Sequence, residues 1–167
     1  MIVVARTKSA DETRALAGEL APVVGTGDVL LLAGDLGAGK TVFVQGLAQS
    51  LGVRERVTSP TFVLSRQYEG DLPIVHIDVY RLDHVQEVID IGLAELVDDE
   101  AVVLIEWGDV VAQSVGPNYL GVRLEYPAVN GGEPADDRLI TLSPRGEGWA
   151  PRQGALRRAV GRWVEEG

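Results

Sequence analysis

The apolar positions of this chain follow two periods. Short runs, apolar at nearly every residue, occur at Val29–Ala33, Pro73–Val79 and Ala101–Ile105. They have the length of strands buried on both faces. Ile2–Ala5, Thr61–Tyr68, Tyr119–Tyr126 and Arg138–Leu142 read as further strands, the last two antiparallel and joined by the polar loop Pro127–Asp137. Helical spacing predicts a helix from Ser9 to about Leu20, with Leu16 and Leu20 on one face, and another from about Lys40 to Leu51. A third covers His84–Glu100 with a break near Gly92, and Trp149–Glu166 predicts a terminal amphipathic helix with Leu156, Ala159, Val160 and Trp163 on one face. That face suits docking on the body or on a partner. Strands alternating with helices indicate an α/β chain.

The first apolar run opens the most informative stretch. Gly34-Asp35-Leu36-Gly37-Ala38-Gly39-Lys40-Thr41 matches G-x-x-x-x-G-K-[ST] at every fixed position, between a strand and a helix. Glycines let successive backbone N–H groups turn inward on a polyphosphate. The lysine supplies a point charge for the β and γ phosphates, the threonine hydroxyl a ligand for Mg²⁺, and the helix N-terminus a positive end for the anion. The nucleotide-binding set is therefore Asp35, Gly37, Ala38, Gly39, Lys40, Thr41 and Val42. The chain has only two lysines against 13 arginines, and Lys40 is one of them.

Other candidates are placed by their relation to that loop. Thr58, Ser59 and Thr61, around Pro60, fall where nucleotide switches carry a threonine toward Mg²⁺ or the γ-phosphate, and equally where a turn would carry ordinary threonines. Asp78 ends a buried strand, where an acid can position water or metal; a buried carboxylate needs a partner, and Arg81 or the metal site would serve. His76 on that strand reads as a satisfied core or strand-edge histidine rather than a ligand. Ala101–Ile105 followed by Glu106 has the layout of a Walker B strand, its acid on the metal side, and Trp107 then stands beside the nucleotide pocket. Glu12 reads as a helix-entry residue in the capping-box pattern Ser9-Ala10-Asp11-Glu12, with a place beside the base as the alternative. Arg138 is set either against phosphate or base, or at a solvent-facing edge.

Composition narrows the classes. At 167 residues the chain is expected to be one domain, with residues 1–147 the P-loop unit and 148–167 an arginine-bearing, helical tail. It has no cysteine, hence no disulfide and no cysteinyl metal site. No apolar run reaches membrane-spanning length and the N-terminus lacks a basic, then apolar, leader, so a cytoplasmic protein is expected. The net charge of −10 argues against autonomous, tight nucleic-acid binding. The tail holds four arginines and two glutamates, leaving −12 on the rest. N-K-x-D and D-x-x-G, which a GTPase would show, do not occur. Adenine is favoured over guanine. A small-molecule P-loop kinase is the competing class, although its arginine-bearing lid would have to come from Arg54, Arg56 or Arg81. A nucleotide-gated interaction module with negligible hydrolysis is a third.

Four stretches taken together, Gly34–Thr41, Thr58-Ser59-Pro60-Thr61-Phe62, His76-Ile77-Asp78-Val79-Tyr80-Arg81-Leu82 and Leu104-Ile105-Glu106-Trp107, resemble the TsaE (YjeE) family. These are bacterial P-loop ATPases needed for threonylcarbamoyladenosine modification of tRNA. The resemblance covers roughly residues 9–143. It implies a single α/β P-loop NTPase-like domain with a central mixed, mostly parallel sheet flanked by helices, and ATP/ADP and Mg²⁺ at Gly34–Thr41, with Thr41 and Glu106 on the metal side and Thr61 as a switch-like threonine. Asp78 matches the family's acid implicated in turnover, alongside Lys40, and Trp107 its tryptophan near the nucleotide. It also implies two partners, TsaB and TsaD, the latter transferring the threonylcarbamoyl group to an anticodon-loop adenosine, so that tRNA is met only indirectly through the complex. Many members continue I-E-W with proline; here Gly108-Asp109 follow. The tail lies outside the resemblance.

Overall fold

The computed structural model describes residues 1–60, 65–80, 92–97, 100–128 and 136–165. Seven strands form one sheet: β1 Val3–Thr7, β2 Val29–Ala33, β3 Ser65–Tyr68, β4 Ile74–Asp78, β5 Val102–Glu106, β6 Tyr119–Glu125 and β7 Arg138–Arg145, in the order β1-β7-β6-β2-β5-β4-β3. The four central strands, β6, β2, β5 and β4, run parallel. β7 pairs antiparallel with β6 and with β1, and β3 antiparallel with β4. β1 thus runs with the central four, and among the described strands β7 and β3 oppose them. Every residue of β2, β4 and β5 is buried, as their unbroken apolar runs require of strands covered on both faces.

On one face lie α1 Ala10–Gly18 and α2 Lys40–Ser50, burying Leu16 and Leu20 against Phe43, Val44 and Leu47 and all of these against Leu30, Leu32 and Leu104. Each such side chain contributes about 1.5–3 kcal/mol by leaving water. Gly46 in mid-helix costs propensity, yet a Cβ there would run into the Arg14 carbonyl, so the glycine permits the close approach of the two helices. The opposite face is smaller. Val29, Leu31, Val75, Ile77, Val103 and Ile105 pack there with Leu93 from the single turn α3 Leu93–Leu96 and Val111 from a 3₁₀ turn at Gly108–Val111. Gly92 caps α3 in the left-handed region (φ 68°); residues 81–91 and 98–99 of the predicted helix lie outside the described residues.

The tail is not one helix. A 3₁₀ turn at Ala150–Arg152 leads into α4 Gln153–Ala159, then a 3₁₀ turn at Gly161–Trp163. Glycine at 161 and proline at 151 oppose a continuous α-helix there. The predicted apolar face docks on the body: Trp149, Leu156, Val160 and Trp163 join the larger core, and Val164 bridges to Ala5. Arg152 fixes it by gripping both oxygens of Asp28 (2.6 and 2.8 Å), donating to the Val23 carbonyl and stacking 4.0 Å over Trp149.

Candidate functional site

The carboxyl ends of β2, β4 and β5 meet the start of α2. Side chains on a strand alternate between faces, so His76 and Asp78 on β4, and Leu104 and Glu106 on β5, all point toward α2. Asp78 lies opposite Glu106 in register. Two carboxylates so placed repel unless each is held by other groups. Asp78 accepts from the Ser59 hydroxyl (3.0 Å) and the Tyr80 amide (2.8 Å). Glu106 lies 2.9 Å from the Thr41 hydroxyl through each oxygen and 2.6 Å from His76 Nε2. Asp78, Glu106 and His76 are all buried.

The loop between β2 and α2 is glycine-dependent. Gly34, Gly37 and Gly39 have φ of 145°, 78° and 106°, which side chains with a Cβ resist, and a Cβ at Gly34 would strike the Leu124 carbonyl. Lys40 folds back under the loop. Its ammonium donates to the carbonyls of Gly34 (2.7 Å) and Asp35 (2.9 Å) and sits 3.9 Å over the Trp107 ring. Burial lowers its pKa from 10.5, against the opposing pull of Glu106 and Asp78. Gly39 stands at the N-cap of α2, and no side chain caps that helix. Trp107 is the one non-glycine with positive φ (61°) among the described residues, a strained backbone that turns its ring toward Lys40 and within 4.9 Å of Tyr80.

A cavity of about 350 Å³ opens here, lined by Gly37, Gly39, Lys40, Thr41 and Val42 from the loop side and by Ser59, Asp78, Glu106 and Trp107 opposite, with Leu36 and Tyr80 at its edge. Most of the residues singled out from the sequence thus converge. Asp35 and Ala38 instead offer backbone carbonyls, to Lys40 and to Arg138 respectively. Arg138 is committed to the back of the loop: its Nε donates to Ala38 (3.0 Å), and its guanidinium lies 4.0 Å over Tyr126. Tyr126 in turn donates to the Gly37 carbonyl at 3.2 Å. Glu12 does not line this cavity; Ser9 caps the helix by accepting from the Glu12 amide, and the Glu12 carboxylate reaches one residue past the cap to the Lys8 amide (2.8 Å). Thr61 and Arg81 lie outside the described residues. Arg54 and Arg56 line a separate hollow with Arg14 and Gln45, not the loop cavity.

Three side chains here were not assigned a role from sequence. Tyr80 stood in the stretch His76–Leu82 without a role of its own, and Tyr126 gave no signal. His76 did give one: the spacing H-x-D puts it on the face of Asp78. Among the described residues no cluster of three or more histidine, cysteine or acidic side chains stands ready to hold a metal. None of the described helices is long and apolar enough to cross a membrane.

A mixed sheet whose parallel centre delivers a glycine loop, a buried lysine and two facing carboxylates to one cavity defines an α/β protein with its site at the strand-to-helix loop. The family model for "Threonylcarbamoyl adenosine biosynthesis protein TsaE" matches residues 7–132, and the chain belongs to that family. It is 39% identical to the tRNA threonylcarbamoyladenosine biosynthesis protein TsaE of Bacillus subtilis (84% of this chain, 85% of the relative). It is likewise 39% identical to that of Streptomyces coelicolor (82% and 93%). The crystal structure of Bacillus subtilis YdiB superposes with a TM-score of 0.78 at 32% identity, covering 95% of each chain. The family's role is in tRNA threonylcarbamoyladenosine biosynthesis.

Proposed function

We propose that this chain binds and hydrolyses ATP with Mg²⁺, and that it does so as a subunit acting on the TsaB–TsaD complex during threonylcarbamoyladenosine modification of tRNA. The observation that carries the reading is the convergence of Lys40, Thr41, Asp78 and Glu106 on one cavity at the end of β2. Uncapped amides at the start of α2 and the ammonium of Lys40 suit a polyphosphate. For that role Lys40 exchanges the carbonyls of Gly34 and Asp35 for phosphate oxygens. The donor set suits Mg²⁺: the Thr41 hydroxyl and the Glu106 carboxylate are hard oxygen ligands 2.9 Å apart, and Mg²⁺ takes few protein ligands beside phosphate and water. When bound, Mg²⁺ would offset charge on the β and γ phosphates. Asp78, held by Ser59 and the Tyr80 amide, is the carboxylate available to orient the attacking water. Trp107 walls the pocket beside Lys40.

The test is reconstitution. TsaB, TsaD, tRNA and a source of threonylcarbamoyl-adenylate are combined with and without this chain and ATP, and modified tRNAs are counted per TsaD. The expected result is turnover beyond one cycle only with the chain, ATP and an intact Lys40. No difference on adding the chain, or phosphate transfer to a metabolite in place of hydrolysis, overturns the reading.

A further inference from the structure

We propose that His76 is a positioning residue for the metal-side pair, donating from Nε2 to Glu106 and thereby fixing how Thr41 presents its oxygen. The proposal rests on the Mg²⁺ nucleotide reading above. His76 has no exposed surface, and its Nε2 lies 2.6 Å from Glu106 Oε2. An ionised carboxylate only accepts, so the proton of this contact sits on Nε2. Among the described residues Nδ1 has no hydrogen-bond partner. The alternative tautomer, with a protonated Glu106 donating to Nε2, would bury an N–H on Nδ1 without an acceptor. A lone pair there is the less costly state. Glu106 thus accepts from His76 on one side and from Thr41 on the other.

The consequence runs along a chain of contacts. The Thr41 hydroxyl has one proton and lies 2.9 Å from both Glu106 oxygens. With Oε2 also held by His76, the carboxylate keeps its orientation and accepts the hydrogen bond that this proton makes. The lone pairs of Thr41 Oγ1 are then left for the cavity side, where a cation on the phosphates would meet them. His76 never reaches that cavity itself. Partners of this kind typically shift metal affinity by about 10–100-fold when removed.

The first experiment reads the tautomer itself. The ¹⁵N spectrum of the imidazoles in the full-length protein should show the Nε2–H tautomer for the signal that disappears in His76→Gln. An Nδ1–H tautomer overturns the proposal. The second reads binding of Mg²⁺ and ADP by calorimetry. His76→Phe is expected to raise the Mg²⁺ concentration needed for half-maximal enhancement of ADP binding about 10-fold, with metal-free ADP affinity unchanged. His76→Gln, whose amide can donate from the position of Nε2, restores most of it. Equal losses in Phe and Gln variants, or a folded Phe variant with unchanged Mg²⁺ dependence, overturn the proposal; if the Phe variant does not fold, the Gln variant and the spectrum decide. A wild type that binds Mg²⁺ and ADP but does not hydrolyse ATP overturns the hydrolysis reading alone, because both readouts here are of binding and tautomer.

Discussion

The starts of α1 and α2 face the same problem and answer it differently. Each helix leaves N–H groups unpaired in its first turn. At α1 the chain answers internally: Ser9 accepts from the Glu12 amide and Glu12 accepts from the Lys8 amide. At α2 the N-cap is Gly39 in the left-handed region, with no side chain bonded to the turn. The helix that completes its own cap anchors the fold. The helix that does not stands over the cavity where Lys40, Asp78 and Glu106 meet. The same chain that places Ser9 before α1 places Gly39 before α2, where no side chain bonds the turn and backbone N–H groups are left for an anion.

The contrast breaks most readily at Lys40. Lys40→Ala is expected to lower ATP turnover by at least about 100-fold, the scale seen when one preorganised donor to transition-state charge is removed. Phosphate release measures it, and unchanged turnover would sink the assignment of the loop. Glu106→Ala comes next. It should weaken Mg²⁺-dependent hydrolysis about 10–100-fold while costing bare ADP binding much less. Equal losses in the two assays would make Glu106 structural.

At α1 the expected effects are smaller and of another kind. Ser9→Ala should cost about 1 kcal/mol of stability in denaturant unfolding, with nucleotide affinity unchanged. Glu12→Ala should cost somewhat less, again without touching affinity, because its carboxylate serves the Lys8 amide. A fall in ADP affinity on Glu12→Ala would put this residue back beside the base.

Which features could be read from the chain follows from how far apart their partners lie. The loop Gly34–Thr41 is a contiguous motif, and β2 ends as its apolar run does. The capping box spans four residues and was legible for the same reason. Glu106 was recognisable by its place after a buried run, but its bond to Thr41 joins positions 65 apart and needs β5 beside β2. His76 shows the boundary well. Its face follows from period 2, whereas its partner follows only from the pairing of β4 with β5. Tyr126 and Arg138 reach the loop across 89 and 100 residues, and no local pattern announces that. The tail's apolar face was visible, but amphipathicity does not say what covers it. The Arg152–Asp28 pair, 124 residues apart, answers that.

The finest test of the contrast concerns the carbonyl side of the glycine loop. Tyr126, a residue 47% exposed, donates to Gly37, while Arg138 holds Ala38 and stacks on the same ring. Tyr126→Phe removes the hydroxyl and keeps the stack. The Gly37 carbonyl can take water in its place, so the loss should be that of one exposed hydrogen bond, about 0.5–1 kcal/mol. This bounds the weakening of ADP affinity, read by calorimetry, at about 2–5-fold, with Mg²⁺ dependence unaltered. The effect acts through the loop's shape, because Tyr126 touches its carbonyl and not the amides that face the cavity. A weakening beyond about tenfold would mean that the hydroxyl meets the nucleotide directly. The brace formed by β6 and β7 would then belong to the binding site and not only to its support.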